Sequence, residues 1–142
     1  MGSEGMFGIA TAICIRLTPS PPDVRTMLLD FSSVRDGTDT VSAIIAAGMV
    51  PAALEMMDRL CLEAVEAYVH AGLPTDAAAA LLVELAGPSA AVAADAERVR
   101  EIGEQHGARS VRVARDEAER ALLWKGRKNA FGAIAQIGRA HV

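Results

Sequence analysis

A chain of 142 residues, 51% hydrophobic and 23% charged, has the size and balance of one globular domain with a modest core. Its formal charge of −4, with only one Trp, one Tyr and three Phe, argues against a nucleic-acid surface, which presents a basic face interleaved with aromatic rings. No apolar run approaches the length of a bilayer-spanning helix, and the opening MGSEGMFG has neither the basic nor the apolar region of an export signal, so no transmembrane segment and a cytoplasmic setting are expected.

The first patterned segment runs from Ile9 to Leu17, where Ile9, Thr11, Ile13, Ile15 and Leu17 alternate with smaller residues; a period of two rich in β-branched side chains predicts a strand. Thr18-Pro19-Ser20-Pro21-Pro22 ends it, because proline removes ladder donors and favours an extended linker. This is the chain's clearest boundary: residues 1–18 form a short N-terminal piece, 19–23 a Pro-rich linker and 24–136 the main body.

After the linker, Thr26 to Phe31 (TMLLDF) predicts a strand, and Asp39 to Ala47 a helix with Val41, Ile44 and Ile45 at helical spacing, stopped at Gly48. Val50 to Met57 predicts a second strand. Asp58 is placed to cap a helix from Arg59 to Ala71, on which Leu60, Val65 and Tyr68 would share a face. Ala79 to Leu85 (AALLVEL) predicts a third strand. Gly87-Pro88-Ser89 then opens a long helix through Gln105, with Val92, Ala96, Val99 and Ile102 in phase. Ser110 to Ala114 predicts a short fourth strand, and Asp116 caps a final helix carrying Ala118, Leu122 and the stretch from Trp124 to Phe131.

The resulting order, β-α-β-(α)-β-α-β-α, predicts an α+β fold: a ferredoxin-like split β-α-β domain with an antiparallel sheet, helices on one face and the other face free to cover something. Cys14 and Cys61 are isolated thiols in apolar runs, expected to be buried, reduced and inert. His70, His106 and His141 lie far apart without ligand spacing, so no metal site is expected. Glu55 and Asp58 could be read as a carboxylate pair for acid-base work, but Asp58 suits a helix cap and the facing of Glu55 is open. The residues alone also allow a stand-alone ligand-binding or oligomerisation module without catalysis.

Gly2-Ser3-Glu4-Gly5-Met6-Phe7-Gly8-Ile9 concentrates glycine ahead of a strand, which lets backbone amides approach a phosphate or ring edge. This GSEGMFGI stretch resembles the end of the FAD domain in the FAD-linked oxidase family, of glycolate oxidase flavoprotein subunit and D-lactate dehydrogenase type, which typically reads GSEGTLGI before a strand. The resemblance continues through Val41 to Gly48, Pro51 to Asp58 and Asp116 to Phe131 (DEAERALLWKGRKNAF) and so covers nearly the whole chain. Met6 and Phe7 depart from the usual Thr and Leu; both are side-chain changes in a loop whose contacts are expected to be mainly backbone, so they bear on the exact fit of the ligand.

The resemblance implies that residues 1–18 are the C-terminal remnant of an FAD-binding domain and that 24–136 are most of the substrate-side cap domain. Gly2, Ser3, Glu4, Gly5, Gly8 and Ile9 would lie along FAD. Arg127 would bind substrate, its planar fork gripping the carboxylate of a D-2-hydroxy acid such as glycolate or D-lactate. The implied reaction is oxidation to the 2-oxo acid, with hydride passing from C2 to the flavin while a base outside this chain takes the hydroxyl proton. The glycolate oxidase branch further implies an iron-sulfur partner subunit, through which the protein could sit peripherally at the inner membrane. A polypeptide without the upstream FAD domain is expected not to turn over substrate.

Residues 137–142 (IGRAHV) are what ATC GGA AGA GCA CAC GTC encodes, a common short-read sequencing adapter, and a CAG codon at Gln136 would supply the adapter's leading AG. They are therefore expected to be non-native. Reading the source nucleotides from Gln136 onward checks this: any other codons, or a longer genuine reading frame, would show the six residues to be the protein's own.

Overall fold

The computed structural model describes residue 2 and residues 4–139, with side chains as far as residue 135. At its centre lie two long antiparallel strands, β1 (Asp23–Phe31) and β3 (Ala79–Gly87), in a register that sets Leu28 opposite Leu82. The shorter β2 (Ala53–Asp58) pairs with β3 and β4 (Ala108–Val113) pairs with β1, giving the fully antiparallel order β2-β3-β1-β4. This is the α+β, ferredoxin-like arrangement that the order of elements predicts.

Successive side chains of a strand point to opposite faces, so β1 and β3 each supply two surfaces. On one face Met27, Leu29 and Phe31 join Leu81, Val83 and Leu85 against α1 (Val34–Ala46) and α3 (Ser89–Gln105), which contribute Ile44, Val92, Ala96 and Val99. These two helices lie where a helix layer on one face was expected. The opposite face is not free. Leu28, Ala80, Leu82 and Met57 are covered by α2 (Arg59–Val69), α4 (Glu117–Lys128) and α5 (Ala130–Arg139) through Leu62, Val65, Val69, Leu123, Ala130 and Ala133. The helix inserted between β2 and β3 is thus the start of a second layer, and the domain has three.

Several local expectations change for physical reasons. The stretch from Ile9 to Leu17 forms no strand and its large side chains are exposed, because an isolated extended segment has no ladder partner for its amides and no described strand lies beside it. Cys14 within it is exposed rather than buried, whereas Cys61 is half-buried; both are free thiols. Helix α1 starts at Val34, not Asp39: the Ser33 hydroxyl accepts the Asp36 amide at 3.1 Å, and the turn-like Asp36-Gly37-Thr38 is helical. A Cβ at Gly37 would meet the Met56 sulfur at 3.0 Å, a tight contact that a side chain there would have to displace. Strand β2 begins after Pro51, leaving Val50 exposed. On α2 the buried stripe is Leu62, Ala64, Val65 and Val69, with Leu60 73% and Tyr68 51% exposed. No helix among the described residues is long and apolar enough to cross a membrane.

Two caps behave as read: Asp58 accepts the Cys61 amide at 2.9 Å, and Asp116 accepts the Glu119 amide at 2.8 Å. The carboxylate of Glu119, nearly buried, then gathers the start of α4 onto β4. It accepts from the Arg115 side chain at 2.8 Å and backbone at 2.9 Å, and from Arg112 Nε at 2.7 Å. Arg112 also donates to the Gly72 carbonyl at 2.9 Å, tying in the loop after α2. The Arg115 guanidinium and amide, followed by Arg112, hold the Glu119 carboxyl down at about 2.

Leu82→Ala, which opens a cavity at the middle of the second core, should lower unfolding stability by ~2–5 kcal/mol with an unchanged urea m-value. For Glu119 the folded value lies below the ordinary 4.5, so its contribution is complete above that value and disappears as pH falls towards about 2. The melting-temperature gap between the parent chain and Glu119→Gln should therefore be widest above pH 4.5 and close on acidification; a gap independent of pH across that window would overturn the assignment.

Candidate functional site

Arg120, Leu123, Trp124 and Arg127 fall at positions i, i+3, i+4 and i+7 of α4 and so form one stripe of the helix. Leu123 is buried and meets the second core, which turns the polar ends of its three neighbours onto the sheet. Beneath them lie two carboxylates on adjacent strands: Glu84 of β3, beside Thr26 of β1, and Glu55 of β2, opposite Leu82. Gly126 lets α4 come close to α2, since a Cβ there would meet Val65 Cγ1 at 3.2 Å.

Glu84 is the more enclosed carboxylate. It accepts from Thr26 Oγ1 at 2.9 Å, from Arg120 Nε at 3.0 Å and Nη2 at 3.2 Å, and from the Trp124 indole. Burial pushes its carboxyl up, but the bonds from Arg120, Trp124 and Thr26 outweigh that and leave it below the usual carboxylate range. Arg120 Nη1 donates to Glu117 at 2.8 Å, so this guanidinium is divided between two carboxylates. The cleft above it, about 510 Å³ and also lined by Lys125, Lys128 and Asn129, therefore has a floor whose charges are already matched.

Arg127 is placed differently. Its Nε and Nη2 both approach the same oxygen, Glu55 Oε2, at 2.9 Å, and among the described residues Nη1 makes no hydrogen bond. The side chain borders a smaller cleft of about 220 Å³ lined otherwise by Met56, Met57, Cys61, Ala130, Phe131 and Ile134. Arg127 is the only charged residue among the described residues of that lining. Burial, then the Asp58 carboxylate, pushes the Cys61 thiol up despite the opposing effect of Arg127, so at neutral pH it is a protonated, weakly polar wall.

Of the residues singled out from the sequence, Arg127 lies on this inner stripe and Glu55 is its partner. Gly2, Glu4, Gly5, Gly8 and Ile9 lie in the exposed segment before β1, not packed against the helices, while Ser3 is outside the described residues. Gly2 and Gly5 have φ of +85° and +82°, and nothing lies within 4 Å of where their Cβ atoms would be. His70 caps the end of α2 and His106 follows α3; His141 is outside the described residues. No group of His, Cys, Asp or Glu among the described residues could hold a metal ion.

Glu84 and Arg120 were not anticipated, although both left a signal. An acidic residue inside the apolar run AALLVEL must find partners if that strand is buried, and Arg120, Trp124 and Arg127 share a helical stripe.

Residues 20–142 match the family described as FAD linked oxidases, C-terminal domain. The chain is 49% identical over 136 residues to Glycolate oxidase subunit GlcD of Escherichia coli strain K12, covering 96% of this chain and 27% of that protein. It is 29% identical over 140 residues to a Danio rerio protein named Probable D-lactate dehydrogenase, mitochondrial, again covering 96% of this chain and 27% of the relative. A solved alkyldihydroxyacetonephosphate synthase resembles it with a TM-score of 0.53 at 14% identity, over 64% of this chain and 20% of that one, a likeness of fold alone. The chain thus spans about a quarter of the length of the curated relatives it matches. With the family match running through all four strands and every helix described above, the chain belongs to the C-terminal domain family of the FAD linked oxidases.

Proposed function

We propose that this chain is the substrate-side part of a flavoenzyme that oxidises a D-2-hydroxy acid, glycolate or D-lactate, to the 2-oxo acid. The observation that carries the reading is Arg127: a guanidinium whose Nη1 makes no hydrogen bond among the described residues, and the only charge among the described residues lining a small cleft of Met, Cys, Ala, Phe and Ile. A planar fork beside an apolar wall suits a small monocarboxylate, because the carboxylate takes the donors and the short carbon body takes the wall. The names of the relatives, a glycolate oxidase subunit and a D-lactate dehydrogenase, support the same substrate class.

The residues present fit FAD only along one edge. The open amides of the segment holding Gly2, Glu4, Gly5, Gly8 and Ile9, with Gly2 and Gly5 at positive φ, suit a group approached by backbone; the rest of its pocket belongs to the remainder of the intact protein. Bound FAD supplies the acceptor for the hydride lost from substrate C2. Arg127 binds and orients the carboxylate beside the apolar side chains that border its cleft. None of the described cleft residues is a histidine, and Cys61 is held protonated, so the base for the hydroxyl proton is assigned to the remainder of the enzyme. An iron-sulfur partner subunit, with peripheral attachment at the inner membrane through it, completes the reading for the glycolate oxidase branch.

In the intact flavoprotein, Arg127→Lys should raise the dissociation constant for the hydroxy acid roughly tenfold or more and slow flavin reduction, with FAD content unchanged, because the bidentate fork is lost and the cofactor segment is not. Stopped-flow reduction at varied substrate concentration reads all three. Unaltered reduction kinetics would sink the assignment.

A further inference from the structure

We infer that Glu55 is a positioning residue for Arg127: it holds the Nε/Nη2 side of the guanidinium so that the Nη1 end is presented, already oriented, to the substrate carboxylate. This rests on the reading of Arg127 given above. An arginine has five donors arranged around a plane. Here Nε and Nη2, which form one side of that plane, converge on Glu55 Oε2 at 2.9 Å each. The Nε hydrogen bond, with Nη2 in ion-pair contact with the same oxygen, fixes the direction of the group, while Nη1 makes no hydrogen bond among the described residues.

The anchor is set by elements that do not move with the arginine. Glu55 stands in β2, paired with β3 in a register that places it opposite Leu82, and rigid strands hold a side chain more closely than loops do. The partner helix is fixed independently, by the Asp116 cap at its start and by Arg120 and Trp124 on Glu84, two turns and one turn before Arg127. A long, flexible side chain is thereby ordered before substrate arrives, which removes part of the entropy lost on binding.

Stability does not account for the pair. The two side chains are 32% and 36% exposed, and partly solvated ion pairs of this kind contribute little to folding. Nor does repulsion between Glu55 and an incoming carboxylate decide the matter. The substrate would meet the guanidinium at contact distance through its Nη1 end, closer to the positive charge than to Glu55, so attraction at contact prevails.

The test uses the intact FAD-loaded flavoprotein, with glycolate and D-lactate as probes in rapid flavin reduction, and the variants Glu55→Ala, Glu55→Gln, Arg127→Met and the Glu55→Ala/Arg127→Met double. Glu55→Ala should raise the substrate dissociation constant about tenfold while the limiting reduction rate, FAD content and melting temperature change little. Glu55→Gln keeps an oxygen that can accept from Nε and should recover most of the loss. With Arg127→Met already present, Glu55→Ala should add nothing, as expected when one residue acts only through the other. If Arg127→Met impairs binding and Glu55→Ala leaves it within about twofold, or if the two effects simply add, the positioning role is overturned and the Arg127 reading stands. If Arg127→Met itself changes nothing, that earlier reading fails and this one with it. Should the alanine variant lose FAD, Glu55→Met, which keeps the aliphatic stem, takes its place with the same expectations.

Discussion

Burial of the β1–β3 pair on both of its faces is the constraint from which the other layers follow. Met27, Leu29 and Phe31 point one way and Leu28 the other, and each direction ends in a buried cluster. A sheet wet on one face would alternate apolar with polar, but TMLLDF and AALLVEL are nearly continuous runs, so water must be excluded from both sides. Helices α1 and α3, the two crossovers of a split β-α-β domain, cover one side. The other would lie open in a minimal version of that fold; here α2, inserted between β2 and β3, and then α4 and α5 close it.

That second layer puts charge where the sheet is buried. Glu84 and Glu55 stand on neighbouring strands under α4, and each takes a guanidinium from it. The two pairs differ in what remains. Arg120 is shared between Glu84 and Glu117, with Trp124 and Thr26 completing the Glu84 carboxylate, so the group is a closed structural lock that fixes the rotation of α4. Arg127 meets a single carboxylate oxygen along one edge and borders an apolar cleft with the rest. One helix therefore carries both its own anchor and a presented donor, seven residues apart on the same stripe.

Features that depend on a few consecutive residues were legible. Asp58 and Asp116 cap their helices because an aspartate ahead of a helix needs only the amide three positions on. Other features depended on distant partners. Helix α1 takes in residues 34–38 ahead of the expected start at Asp39, and Gly37 within them lies close to Met56 across the layer. The alternating stretch from Ile9 to Leu17 has the composition of a strand and no described neighbour to pair with, and strand propensity without a ladder forms nothing. For a helix as short as α2, several apolar stripes satisfy the same periodicity; docking selected Leu62, Val65 and Val69 over Leu60 and Tyr68.

By itself the sequence determined the order of the four sheet strands and the helices between them, the Asp58 and Asp116 caps, and an arginine following a tryptophan on an amphipathic helix, all properties of neighbours along the chain. Only the tertiary structure decided that the second sheet face is covered, that Glu84 is the closed lock, and that Glu55 faces Arg127. The physical reason is range. The facing of Glu55 depends on the register of β2 against β3, and its meeting with Arg127, 72 positions away, depends on how α4 docks on that sheet, neither of which any local pattern encodes.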